Sequence, residues 1–265
     1  SPFAFTGNKF EFRAVGSSQN CAVPMTILNA AASDALHQMT ERLKKKLDGK
    51  PGHRDQAVVE LLREVFTESA AVRFEGNGYS EEWKAEAAKR GLPNLADTPA
   101  AIAEVMKPEH HGFLVSTGIL SQLEVDARFN VAAERYLKQV TLEAETLVDL
   151  LNTAVIPSVE RQLAATGAAW RVLSEAAGSA KGSAYGKRVT ALANGLETLQ
   201  EGVGRIEKEL AGLHGGHDEI AACRTLAAKV RPLMSELRAT ADLMESLIDD
   251  EAWPLPKYRE MLFVK

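Results

Sequence analysis

The chain has 265 residues, 45% of them hydrophobic and 25% charged, enough apolar material for the core of one or two domains. A formal net charge of −5 argues against nucleic acid as a partner, a role that rests on a clustered basic excess; the one basic run, Lys44-Lys45-Lys46, falls near a predicted helix end, where cations complement the dipole. Two distant cysteines, Cys21 and Cys223, both on apolar helix faces, give no disulfide framework and fit a reducing cytoplasm, and no apolar run is long enough to span a bilayer.

Residues 1–8 read as an extended lead-in with Phe3 and Phe5 in alternation. Residues 8–16 then read as a strand. Strand side chains alternate between faces, so Phe10, Phe12 and Ala14 look one way and Lys9, Glu11 and Arg13 the other. The aromatic face belongs against a core. The charged face admits two readings, a solvated strand edge or a wet, charged cavity. Almost no other strand is visible to pair with it. Gly16-Ser17-Ser18-Gln19-Asn20 is turn chemistry, and a helix begins near Pro24 and runs to about Lys46. Its alanines, Ala30, Ala31, Ala32 and Ala35, imply close approach to a neighbour, and residues 48–52 stop it. A second helix spans roughly Asp55 to Ala71, with Val58, Leu61, Leu62, Val65 and Phe66 on one face. Gly76-Asn77-Gly78 forces a tight turn, and Ser80 caps a short helix that Gly91-Leu92-Pro93-Asn94 ends. Thr98-Pro99 opens another, closed by Lys107-Pro108. His110-His111-Gly112 falls in the next connection and reads as loop rather than metal site, for want of Cys, Asp or Glu at ligand spacing.

From Ser121 the elements lengthen. Residues 121 to about 178 form one very long helix or two nearly collinear ones, with Leu147, Leu150, Leu151, Val155 and Val159 on the apolar stripe and Pro157 predicting a kink. Residues 177–183 read as a flexible link. The series Tyr185, Val189, Leu192, Leu196, Leu199, Val203, Ile206, Leu210, Leu213 alternates steps of four and three, and Ile220, Cys223, Ala227, Val230, Met234, Leu237, Ala241, Met244, Ile248 does the same. The short connection between them makes the two runs antiparallel neighbours. Asp218 is an N-cap, His214 and His217 read as loop residues flanking a double glycine, and Pro232 predicts a bend in the last helix. After Trp253-Pro254-Leu255-Pro256 the tail, with Tyr258, Met261, Leu262 and Phe263, is apolar enough to dock onto the body. The expected fold is mainly α: one β-strand at the N-terminus, short helices, then long antiparallel helical hairpins packed like a bundle.

No phosphate-binding loop, His-Glu-x-x-His, Cys-x-x-Cys or Gly-x-Ser-x-Gly is present, so no complete catalytic site is visible. The chain starts at Ser1 without methionine, as a piece of a larger protein would. Lys9-Phe10-Glu11-Phe12-Arg13 with the following turn and alanine-rich helix, the stretch 73–80 (Arg73 to Ser80), and Trp253 to Phe263 together resemble glutamine synthetase, in particular its type III branch. The resemblance implies residues 1–120 as the end of the catalytic domain and 121–265 as a helical extension used in assembly. It implies ligation of ammonia to glutamate with ATP through a γ-glutamyl phosphate, and Mg2+ or Mn2+ held mainly by glutamates. Its implied partners are the remainder of the parent catalytic domain, preceding Ser1, and further subunits in a ring, a dodecamer. By the same resemblance Glu11 is a metal ligand, Arg13 binds the acidic substrate and its phosphorylated intermediate, and Lys9, where many relatives have arginine, contacts phosphate or nucleotide. Asn20 and Ser17 shape the turn. The alternative is a non-enzymatic helical interaction module. It leaves Glu11 and Arg13 in water, whereas the enzyme reading sets them in a cleft.

Overall fold

The computed structural model describes residues 3–13, 16, 19–49, 51–177, 184–213 and 218–262. The expectations for Ala14, Ser17, the link after Ala177, His214, His217 and Phe263 fall outside these residues. The chain divides into two compact units: residues 1–96 with 103–129, and residues 97–102 with 130–265.

The first unit opens with a hairpin. β1 (Phe3–Phe5) pairs antiparallel with β2 (Phe10–Phe12), Ala4 opposite Glu11. The expected lead-in is therefore itself the pairing strand, turned by Gly7 at φ 98° and by Thr6 N–H donating to Lys9 O at 2.9 Å. The aromatic side does not meet a core, which corrects the expectation: Phe5 is 63% and Phe10 58% exposed, their rings resting on each other at 5.2 Å. Cys21 is exposed ahead of α1, so its apolar helix-face assignment does not hold.

α1 (Ala22–Leu47) starts where Asn20 Oδ1 accepts from Ala22 N–H at 2.7 Å, and ends at left-handed Asp48 and Gly49, φ 39° and 71°. Of Ala30, Ala31, Ala32 and Ala35, Ala30 alone is buried. α2 (Arg54–Glu68) faces α1 with Ala57 and Leu61, while Val59, Leu62 and Phe66 are exposed, so the apolar face sits one step round from the predicted one. Arg42 bridges the pair, donating to both Glu68 oxygens and to Glu64, which Lys46 also meets at 2.6 Å. α3 (Glu81–Lys89) has its expected cap, Ser80 Oγ accepting from Trp83 N–H at 3.2 Å. α4 (Thr98–Val105) is followed at once by α5 (Pro108–Ser116), whose first turn takes Pro108. His110 and His111 thus lie in a helix, not a connection.

α6 (Gln122–Leu150), a π turn at Leu151–Val155 and α7 (Ile156–Ala177) form the long run; α8 (Ala184–Ala211) packs against α7 and against α10 (Arg231–Glu245), which follows α9 (Glu219–Thr225) and a second π turn at Leu226–Val230. The predicted prolines are met by a widened turn just before each. α8 and α10 run antiparallel: a Cβ on Gly195 would strike Met244 and one on Gly202 would strike Leu237, and Lys229 pairs with Glu209 at 3.1 Å. Leu192, Leu199, Val203, Ile206 and Leu210 are buried as the four-three spacing predicts. On the facing run Cys223, Val230, Leu237, Ala241, Met244 and Ile248 are buried as predicted, while Leu226 and Leu233 take the inward positions assigned to Ala227 and Met234. Trp253 is buried in the same core and Leu255 packs on it. Ser158 Oγ donates to Ala252 O at 3.0 Å, and Gln162 Oε1 accepts from Asp249 N–H at 2.9 Å. The tail then docks only in part. Lys257 and Arg259 pair with Asp250, but beyond them Met261 and Leu262, at the end of the short α11 (Tyr258–Met261), are exposed. No helix among the described residues is long and apolar enough to cross a membrane.

Candidate functional site

Strand alternation puts Lys9, Glu11 and Arg13 on one side of the hairpin, and they touch. Arg13 donates through Nη2 at 2.7 Å and Nε at 3.1 Å to Glu11 Oε2, and Lys9 Nζ lies 3.4 Å from Oε1. The Arg13 guanidinium first, and the Lys9 ammonium second, hold the Glu11 carboxyl below the usual carboxylate range. Side-chain exposure is 34% for Glu11, 61% for Arg13 and 66% for Lys9, so this face opens to solvent and no cleft forms around it among the described residues. Exposed pairs of this kind add little stability.

A carboxylate is the hard oxygen donor that Mg2+ or Mn2+ takes, and Glu11 can offer one. Both its oxygens are already engaged by cations, and no group of three or more His, Cys, Asp or Glu capable of holding a metal comes together among the described residues. Among the described residues Glu11 offers one carboxylate, short of the several donors a metal site needs. The two adjacent histidines do other work. His111, buried, directs Nδ1 to Val105 O at 2.9 Å, so that nitrogen carries the proton, and Gln122 Nε2 reaches its Nε2 at 3.4 Å. His110 Nδ1 lies 2.8 Å from Glu104 O. Each ring bonds a carbonyl of the last turn of α4, groups short of intrahelical partners at a helix end, and Glu104 O also accepts from Lys107 N–H at 3.1 Å.

The stretch from Arg73 to Ser80 turns out to be a built knuckle. Phe74 stacks on Trp83 at 4.1 Å, and the Arg90 guanidinium lies 5.5 Å above the same indole while Nη1 donates to Arg73 O at 2.8 Å. Gly76, at φ 151°, has no room for a side chain, since a Cβ would come 2.8 Å from Phe74 Cζ. Asn77 Oδ1 accepts from Tyr79 N–H at 3.0 Å, and Tyr79 stands 95% exposed at the tip. Sequence pattern marks the turn through its two glycines; the Phe74–Trp83–Arg90 stack, across sixteen residues, leaves no periodic trace.

Residues 57–169 match the family model for the glutamine synthetase C-terminal domain. The whole chain is 35% identical over 274 residues to a glutamine synthetase of Bacteroides fragilis and 32% identical over 269 residues to a type-3 glutamine synthetase of Dictyostelium discoideum. A glutamine synthetase of Butyrivibrio fibrisolvens is 29% identical over 277 residues, covering 99% of the chain. The helical segment from α2 into α7 is thus similar to a glutamine synthetase C-terminal domain. The chain is similar along its whole length to part of these glutamine synthetases, and it spans little more than a third of their length, 36–37%.

Proposed function

We propose that this chain works as the C-terminal part of a glutamine synthetase, an ATP-dependent ligase joining ammonia to glutamate through a γ-glutamyl phosphate. The family match over residues 57–169 carries the reading. The surroundings of the hairpin do not, because an open charged face is also what a helical interaction module would present. In this reading residues 1–120 end the catalytic domain and residues 121–265 extend it for assembly into a ring in the cytoplasm. Glu11 is one ligand of a Mg2+ or Mn2+ site, Arg13 grips the acidic substrate through its planar fork of donors, and Lys9 supplies a point charge toward phosphate. A bound divalent ion would neutralise phosphate charge. Arg13 and Lys9 hold Glu11 ionised meanwhile, so it is ready to exchange a cation for a metal.

The test uses a chain of the length the relatives have. Glu11→Ala and Glu11→Gln are expected to lower glutamate-dependent ATP turnover on the order of hundreds-fold and to raise the Mn2+ concentration needed, as losing one charged ligand of a catalytic metal does. Phe12→Leu is expected to leave the metal dependence unchanged. A Glu11→Gln enzyme with the parent's rate and Mn2+ titration defeats the site assignment. The 265-residue chain alone, with one carboxylate and one substrate arginine, is expected to show no glutamate- and ammonia-dependent ATP turnover.

A further inference from the structure

The two π turns share a sequence, a bond and a burial pattern. Leu-x-x-x-Val-x-Pro runs from Leu151 to Pro157 and again from Leu226 to Pro232. Ile156 N–H donates to Leu151 O, and Arg231 N–H to Leu226 O, five residues back where an α-helix reaches four. Leu151, Val155, Leu226 and Val230 are all fully buried in the one core, beside α8. Between them Asn152, Thr153, Ala228 and Lys229 are exposed, and Ala154 and Ala227 are half-buried.

We propose that the Leu151–Pro157 segment is a one-residue register insertion, a conformational device that sets which face of the following helix, α7, turns toward α8. Around Leu226–Pro232, by contrast, the buried series Cys223, Leu226, Val230, Leu233, Leu237 keeps its three-four steps through the turn. In an α-helix each residue adds about 100° of rotation. An extra residue taken up in a widened turn leaves that rotation unspent, so Leu151 before the turn and Val159 after it both stay inward. Proline sits where this is needed, because its ring collides with the carbonyl four residues back in a regular helix and a widened turn moves that carbonyl aside.

Removal of Thr153 together with Pro157→Ala converts the Ile156-to-Leu151 bond into an ordinary i−4 bond and leaves both flanking faces where they are. This shortened chain is expected to keep the parent's helicity and a cooperative melt within about 4 °C of the parent midpoint. Pro157→Ala alone is expected to stay cooperative, since the flanking faces still demand the insertion. Removal of Glu143, exposed in α6 and outside the turn, rotates everything before it and is expected to abolish the cooperative melt. The proposal is overturned if the Thr153 deletion unfolds like the Glu143 deletion, if the Glu143 deletion is tolerated equally, or if Pro157→Ala by itself loses the transition.

Discussion

Glycine-to-alanine substitution in a helix interior ordinarily stabilises, by about 1 kcal/mol, because alanine loses less backbone entropy. In α8 the sign should depend on position. At Gly202 a Cβ would lie 3.0 Å from Leu237 Cγ and 3.2 Å from Cδ1, with Cδ2 closer still, and Leu237 is fully buried. A branched leucine in a closed core cannot step aside, so the overlap costs about 1–3 kcal/mol and outweighs the gain. Gly202→Ala should therefore destabilise by about 1–2 kcal/mol. At Gly195 the overlap falls on the Met244 thioether, Cε at 2.5 Å with Sδ nearer, the mobile end of an unbranched chain, and the net effect should lie near zero. Gly204 is exposed with nothing within 4 Å of a Cβ, and Gly204→Ala should stabilise by about 0.5–1 kcal/mol. Thermal melts followed by far-ultraviolet circular dichroism should separate the three, at about 2–4 °C per kcal/mol for a domain of this size. A midpoint for Gly202→Ala as high as that for Gly204→Ala would refute the interlocked α8–α10 seam.

The Arg42–Lys46–Glu64–Glu68 network predicts a pH dependence. Lys46 and Arg42 depress the Glu64 carboxyl and Arg42 depresses that of Glu68, below their ordinary 4.5. Lowered folded-state values mean the stabilisation is complete above the unfolded value and is lost as pH falls through the folded one, so the parent's melting temperature should drop more steeply below pH 4.5 than that of Arg42→Met; identical curves would count against the network. Trp253 has its ring in the core and, among the described residues, no hydrogen-bond partner for its buried Nε1. Trp253→Phe should cost less than about 1.5 kcal/mol and Trp253→Ala about 3–5 kcal/mol, and equal losses in urea titrations would show that the ring's packing is not what matters.

Much of the helical unit was legible because its signal is periodic. Leu192, Leu199, Ile206 and Leu237, Met244 fall where the four-three spacing predicts, and a seam of that length admits few alternatives. Gly195 and Gly202 escaped because they contribute by what they lack: hydrophobic spacing counts side chains, and a hole for Leu237 carries none. The π turns escaped because proline in a helix predicts a kink without saying how the helix absorbs it. His110 and His111 read as loop because Lys107-Pro108 looks like a stop, although proline is equally at home in the first turn of the next helix. Alternation gave the shared side of Lys9, Glu11 and Arg13, which the pairing of β2 reproduces, but alternation cannot say what lies opposite a face.

What lies opposite a face matters throughout the first unit. Its apolar residues follow good amphipathic patterns, yet Phe5 and Phe10 on the hairpin, Met25 and Leu36 on α1, and Val59, Leu62 and Phe66 on α2 are exposed. A hairpin of two three-residue strands is marginal by itself, and apolar surface of this extent marks a place where something packs. Hydrophobic pattern records the burial a segment has in its working setting. Under the proposed function it is the remaining catalytic part that covers the aromatic side of β2. The same covering would set Glu11 and Arg13 at the rim of a cleft instead of in water. The metal titration of Glu11→Gln and the exposure of Phe10 thus test one arrangement from its two faces, the charged side through chemistry and the aromatic side through packing.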